Sequence, residues 1–163
     1  MATNNAINLS QSGITAYDGA GTFFGRTIQG GSNVNVTNGD GVAGNPSISV
    51  SGIMSWVEVT GTSQSMAVQT GYVANNASLV TLTLPATAAI GDSLRVLGKG
   101  AGGWKVGINA TQQIIFGKLS STVGTGGSLA STHQNDCIEL RCITLGTATV
   151  WEVASSVGNI TVV

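Results

Sequence analysis

Apolar and polar residues alternate with a period of two in one short run after another along this chain, and few stretches carry the 3.6-residue period of a helix. In Leu79-Val-Thr-Leu-Thr-Leu84 the alternation puts Val80, Leu82 and Leu84 on one face of a strand. In 103–109, Trp104, Val106 and Ile108 share a face, with Lys105 opposite. In 136–144, Ile138, Leu140 and Cys142 face away from Glu139 and Arg141. Those two charged residues lie on one side, two apart, placed to pair weakly with solvent or a partner strand. In 148–154, Trp151 and Val153 oppose Val150 and Glu152. The chain therefore reads as all-β.

Turn chemistry divides these runs. Strands are expected near 55–60, 65–73, 79–84, 92–98, 103–109, 112–117, 136–144, 148–154 and 159–163. Pro85 and Gly91, the Gly98–Gly103 stretch, Asn109, Gly124–Gly127, Gly146 and Gly158 separate them. About eight or nine short strands at regular spacing imply a β-sandwich or jelly-roll-like domain over residues 53–163. Residues 1–52 have another texture, with isolated aliphatics among Gly, Asn, Thr and Ser. They read as an extended β-rich arm for assembly or attachment. Within it, Val34–Thr37 and Ser47–Val50 alternate, and the turn-dense Asn38–Pro46 returns the chain as a hairpin. Two short strands alone are marginal in water, so neighbouring subunits or the second domain must cover them.

Charge is scarce. Only 8% of the 163 residues are charged and 24 are glycine, against about 25% charge and about 7% glycine in ordinary domains. A net charge of −1 gives little repulsion between copies, which favours self-association. The six basic residues are scattered, which excludes a phosphate-binding stripe and makes nucleic acid an unexpected partner. No apolar run approaches the roughly 18 residues of a membrane span. Met1–Ile7 has neither the basic nor the apolar region of a signal peptide. Cys137 and Cys142 are five apart on one strand, hence on opposite faces and roughly 16 Å apart, too far for a disulfide. They read as two reduced, packed thiols.

Chemistry-bearing groups are few and unpaired. His133 is the one histidine; with Asp136 and a distant Ser it could be drawn as a triad, but no nucleophile elbow accompanies it, and it reads as a loop histidine with a local hydrogen bond. None of the seven carboxylates is paired by the sequence for glycoside hydrolysis. Asn38-Gly-Asp-Gly41 starts like an EF-hand loop but lacks its later ligands, so it reads as a tight turn, with a weak calcium or sodium site as the alternative. Gly98–Gly103 has the wrong spacing for a phosphate loop and reads as a hairpin tip. No catalytic residue, cofactor or metal is therefore expected, and the protein reads as a non-enzyme. Trp56, Trp104, Trp151, Tyr17 and Tyr72 could stack on a sugar, although tryptophans in small β-domains are usually core anchors. Trp104 lies beside the glycine tip. With Tyr72 and His133 it forms the expected set of surface or ligand contacts.

The segment Ile14-Thr-Ala-Tyr-Asp-Gly-Ala-Gly-Thr-Phe-Phe-Gly-Arg-Thr-Ile28, followed by Val34-Asn-Val-Thr-Asn-Gly-Asp-Gly-Val-Ala-Gly-Asn-Pro-Ser-Ile48, resembles part of bacteriophage tail-fibre and other virion appendage proteins. The later runs Leu82-Thr-Leu-Pro85, Ile90-Gly-Asp92, Gly103–Asn109 and Gln112–Phe116 are similar to the distal β-domains of such proteins. The resemblance implies a homotrimeric, β-rich virion appendage that attaches to a host-surface glycan or protein by multivalent binding. Phe23, Phe24, Ile28, Val34, Val36, Ile160 and Val162 are the expected inter-subunit contacts. Two alternatives stand beside it. One is an extracellular filament whose arm or terminal strand completes the next subunit's sheet, since the edge strands carry no Lys or Pro guards. The other is a stand-alone carbohydrate-binding module or small hydrolase.

Overall fold

The computed structural model describes residues 14–17, 19–20, 23–50, 52–144 and 149–163. Every regular element among them is a strand, and none is a helix long and apolar enough to cross a membrane. The described residues fall into two units, divided between Ile53 and Met54.

The described residues of the first unit form two antiparallel hairpins. β1 (Ile14–Tyr17) pairs with β2 (Phe23–Arg26), and β3 (Val34–Thr37) pairs with β4 (Ser47–Val50). The expected hairpin over Val34–Val50 is thus formed. Its loop ties the two hairpins together. Asp40 O accepts from Ile14 N, and Gly39 O accepts from Ile28 N, both at 2.8 Å. Gly39 is needed there because a Cβ would collide with the Ile28 carbonyl. The Asn38–Gly41 segment forms a tight turn: Gly41 N donates to Asn38 O at 2.8 Å, and Val42 N donates to the Asp40 carboxylate at 3.0 Å. The register sets Val34 against Val50 and Val36 against Ile48. Paired residues share a face, so four β-branched aliphatics line one side of this hairpin and Asn35, Thr37, Ser47 and Ser49 line the other.

The second unit is a two-layer β-sandwich. In chain order its strands are β5 (Ser55–Val59), β6 (Ser63–Ser65), β7 (Thr70–Ala74), β8 (Val80–Thr83), β9 (Ser93–Gly98) and β10 (Trp104–Gly107). They continue as β11 (Gln113–Phe116), β12 (Leu119–Ser120), β13 (Ser128–Ser131), β14 (Cys137–Thr144), β15 (Val150–Val157) and β16 (Ile160–Val162). One sheet runs β12-β11-β15-β14-β9-β7-β5, and the other β16-β13-β10-β8-β6. From β5 to β11 each successive strand crosses to the other sheet. The chain therefore returns to a sheet in its original direction, and β5–β7–β9 and β6–β8–β10 are parallel runs. Antiparallel pairs follow only in the C-terminal half of the unit. Of the two expected forms, this is the sandwich; the jelly roll is a Greek-key arrangement of antiparallel strands.

The core lies between the sheets. Val80, Leu82, Leu84, Trp104, Val106, Ile108 and Leu129 enter from one layer; Tyr72, Leu94, Val96, Ile114, Ile138, Leu140, Cys142 and Trp151 enter from the other. The face assignments read from alternation hold for all four runs. Cys142 is buried and Cys137 half-buried on the opposite face, both as free thiols. Burial pushes the Cys142 thiol pKa up, which makes it a poor nucleophile.

Three strand expectations are corrected. Residues 65–73 do not form one strand, because Ser63–Ser65 belongs to one sheet and Thr70–Ala74 to the other, with Gln69 turning the corner at φ 56°. β13, just past the Gly124–Gly127 turn, lies in a stretch where no strand was expected, since Leu129 is its single large apolar side chain. β15 runs on through Ser155, Ser156 and Val157, which pair with β14 although they bury little.

Candidate functional site

The outer face of the seven-stranded sheet carries the site. In β5, Val59 is buried, and alternation turns Trp56 and Glu58 to the opposite side. Trp56 pairs with Gly71, Gly71 with Arg95, Arg95 with Glu139, and Glu139 with Ser155. One row of side chains therefore crosses five strands. A Cβ at Gly71 would meet Trp56 Cε3, Cδ2 and Cζ3 at 2.5, 2.6 and 2.7 Å. Three adjacent ring atoms at nearly one distance mean that the indole lies flat over the glycine. Its burial stops there, with 52% of the residue exposed.

Glu139 anchors the centre of the row. Arg95 Nη2 reaches Glu139 Oε2 at 2.9 Å with Arg95 Nε at 3.1 Å, and Arg141 Nη2 reaches Glu139 Oε1 at 3.3 Å. Glu139 is the most covered of the three, and both arginines are half exposed. At the edge of the face, Lys99 Nζ lies 2.6 Å from Glu58 Oε1, which also accepts from Asn75 Nδ2 at 2.9 Å. The Lys99 hydrogen bond, then the Asn75 amide, hold the Glu58 carboxyl below the usual carboxylate range. Beside Trp56, Arg95 and Glu139 opens a cleft of about 390 Å³, lined also by Leu97, Cys137 and Ser155, with Arg141 on the far side of Glu139. Such a site can stack a flat apolar surface and donate hydrogen bonds to an anion. Among the described residues, no three His, Cys, Asp or Glu side chains are grouped to hold a metal ion.

Two of the expected surface contacts are corrected. Trp104 is fully buried; its Nε1 donates to Asp136 O at 2.9 Å. Tyr72 is also buried, and its hydroxyl oxygen accepts from Ala67 N at 2.6 Å. Their place in the inward phase of the strand decides the matter, and proximity to a glycine-rich tip does not. His133 is exposed, and its Nδ1 hydrogen-bonds Thr132 Oγ1 at 2.8 Å. It sits beside a latch in which the Asp136 carboxylate accepts from Thr132 N at 2.8 Å and His133 N at 2.9 Å.

Among the expected inter-subunit contacts, Ile160 and Val162 are half-buried on the edge strand β16, which pairs with β13 of its own chain and packs them against the core. Val34 and Val36 are half-buried and Ile28 is exposed. The side chains of Phe23 and Phe24 lie outside the described residues. Trp56 is one of the five aromatics able to stack on a sugar, though not in the expected contact set. The signal was present in the phase of Ser55-Trp-Val-Glu-Val59, where alternation from buried Val59 sets the indole on the opposite face. No protein-family model matches the chain, and no curated protein matches it.

Proposed function

We propose that this chain is a structural virion-appendage protein, tail-fibre-like, which assembles through its first unit and attaches to a host surface through its second. It acts by binding and not by catalysis, as a homotrimer in the virion tail or appendage. The observation that carries the reading is the aliphatic face of the β3–β4 hairpin. Ile48 is 60% exposed and Val50 55% exposed, beside Val34 and Val36. A second copy of the same face is a fitting cover, because a chain with so few charges has little else to keep such faces apart. Where the apolar faces of three copies meet around a threefold axis, the rotation closes and the assembly ends as a trimer. Linked copies then let weak individual sites hold a surface firmly.

Filament growth by donation of the last strand has less support, since Ile160–Val162 already fills a place beside β13. The test is retention of the full chain on a panel of bacterial cells, with the double variant Val36→Asp/Ile48→Asp alongside. Retention on at least one strain, falling about a hundredfold or more when the copies separate, is the expected result. Equal retention by the separated variant, or no retention on any strain, contradicts the proposal.

A further inference from the structure

We infer that the outer face of the seven-stranded sheet binds a saccharide carrying a carboxylate, a hexuronic acid unit of a surface polysaccharide. Trp56 is the stacking platform, and Arg95 and Arg141 are the partners of the carboxylate. The inference rests on the attachment reading and supplies its ligand.

Three features of the face converge. First, the indole is held flat by Gly71 and leaves its other side open. A flat, exposed aromatic ring on a rigid sheet suits the C–H face of a pyranose. Second, the chain has six basic and seven acidic side chains, yet Glu58, Arg95, Lys99, Glu139, Arg141 and Glu152 all belong to this sheet or its margin. Third, Arg95 and Arg141 share one carboxylate, Glu139, with Glu152 set opposite Arg141 in the register, so the charges of the face balance while both guanidiniums keep donors that Glu139 does not take up. Arg95 commits Nε and Nη2 to Glu139, and Arg141 commits Nη2, out of five donors on each guanidinium. The planar donor fork matches a second carboxylate.

Donor supply decides between occupants. A neutral sugar uses the indole alone; a uronic acid also engages the guanidinium donors left free beside Glu139. A second copy of the chain would bury several charges at the centre of an interface, where charged residues are depleted. The cleft of about 390 Å³ lies in the range of small-ligand sites.

The test uses the full chain with trigalacturonic acid and maltotriose as probes, followed by tryptophan fluorescence and calorimetry. Trp104 and Trp151 are fully buried, so a change in emission reports on Trp56. Trigalacturonic acid is expected to bind saturably and about tenfold tighter than maltotriose. Trp56→Ala abolishes both responses. Arg95→Gln and Arg141→Gln each weaken the acidic probe about tenfold and leave maltotriose unchanged. Lys105→Ala, in the opposite sheet, changes neither. Equal affinity for the two probes, no saturable binding, or acidic-probe binding that survives Arg95→Gln and Arg141→Gln overturns the inference. The arginine variants decide independently if Trp56→Ala fails to fold. Native mass measured on the same samples keeps the two readings apart. An oligomer that ignores trigalacturonic acid sinks the ligand alone, and a monomer that binds it sinks the appendage reading alone.

Discussion

Gly71 controls the posture of the exposed indole. A methyl group there has no room beneath the Trp56 ring, so Gly71→Ala must lift it. The expected outcome is stronger acrylamide quenching of Trp56, with a stability loss of about 1 kcal/mol. Unchanged quenching would mean that the ring does not rest on the glycine. Asp136 makes a second prediction. Burial raises its pKa, but the backbone N–H groups of His133 and Thr132 and the Thr132 hydroxyl outweigh burial, and the net shift is downward. A carboxylate lowered in the folded state stabilises fully above its unfolded pKa of about 3.9, and that contribution fades as pH falls through the lower folded value. Asp136→Asn is therefore less stable than wild type at pH 7, by about 1–2 kcal/mol, and the difference shrinks on acidification below pH ~4. Denaturant melts across that range check it; a gap that is constant with pH contradicts the assignment. Residue positions were legible where alternation was strict. Val80, Leu82, Leu84, Trp104, Val106 and Ile108 all turned inward as their phase requires. Tyr72 turns inward because its strand begins only at Thr70, past the corner at Gln69, which a single strand over 65–73 does not contain.

At the scale of elements, the β3–β4 hairpin shows how far local patterning reaches. Two alternating tetrapeptides around a Gly/Asn/Pro turn determine its strands and register, and its apolar face follows without further input. Substituting Val36→Asp/Ile48→Asp places two like charges opposite each other on that face. If the proposed assembly uses this face, the expected result is dissociation with the sandwich still folded, seen as a lower native mass and an unchanged near-ultraviolet spectrum. An oligomer that persists would move the interface elsewhere. β13 and β16 were harder to read. Ser128-Leu-Ala-Ser131 carries little hydrophobic signal, and only its partners, β10 and β16, make it a strand. Removing Ile160–Val163 would uncover that strand beside the fully buried Leu129. The truncated protein is expected to unfold at lower denaturant and to aggregate, checked by equilibrium unfolding and light scattering. Full stability after truncation would show that β16 adds nothing to the sheet.

At the scale of the molecule, sequence periodicity announced an all-β chain but not its topology. Strand order depends on which sheet each short strand joins, and period-two patterning is identical in both. The winding from sheet to sheet over β5–β11 is set by arches such as 60–62 and 66–69, whose residues carry no pattern that distinguishes crossing from returning. The candidate site was hidden for the same reason. Trp56, Arg95 and Glu139 are far apart in the chain, and only the register of β5, β7, β9 and β14 aligns them. What composition did convey was the scarcity of charge on which the proposed self-association rests. Sedimentation equilibrium of the full chain over a wide concentration range tests that idea most directly. A single closed species of three copies, stable on dilution to low micromolar protein, is the predicted result. A monomer at every concentration, with the Val34–Val50 hairpin as open to solvent as in one isolated chain, would contradict it.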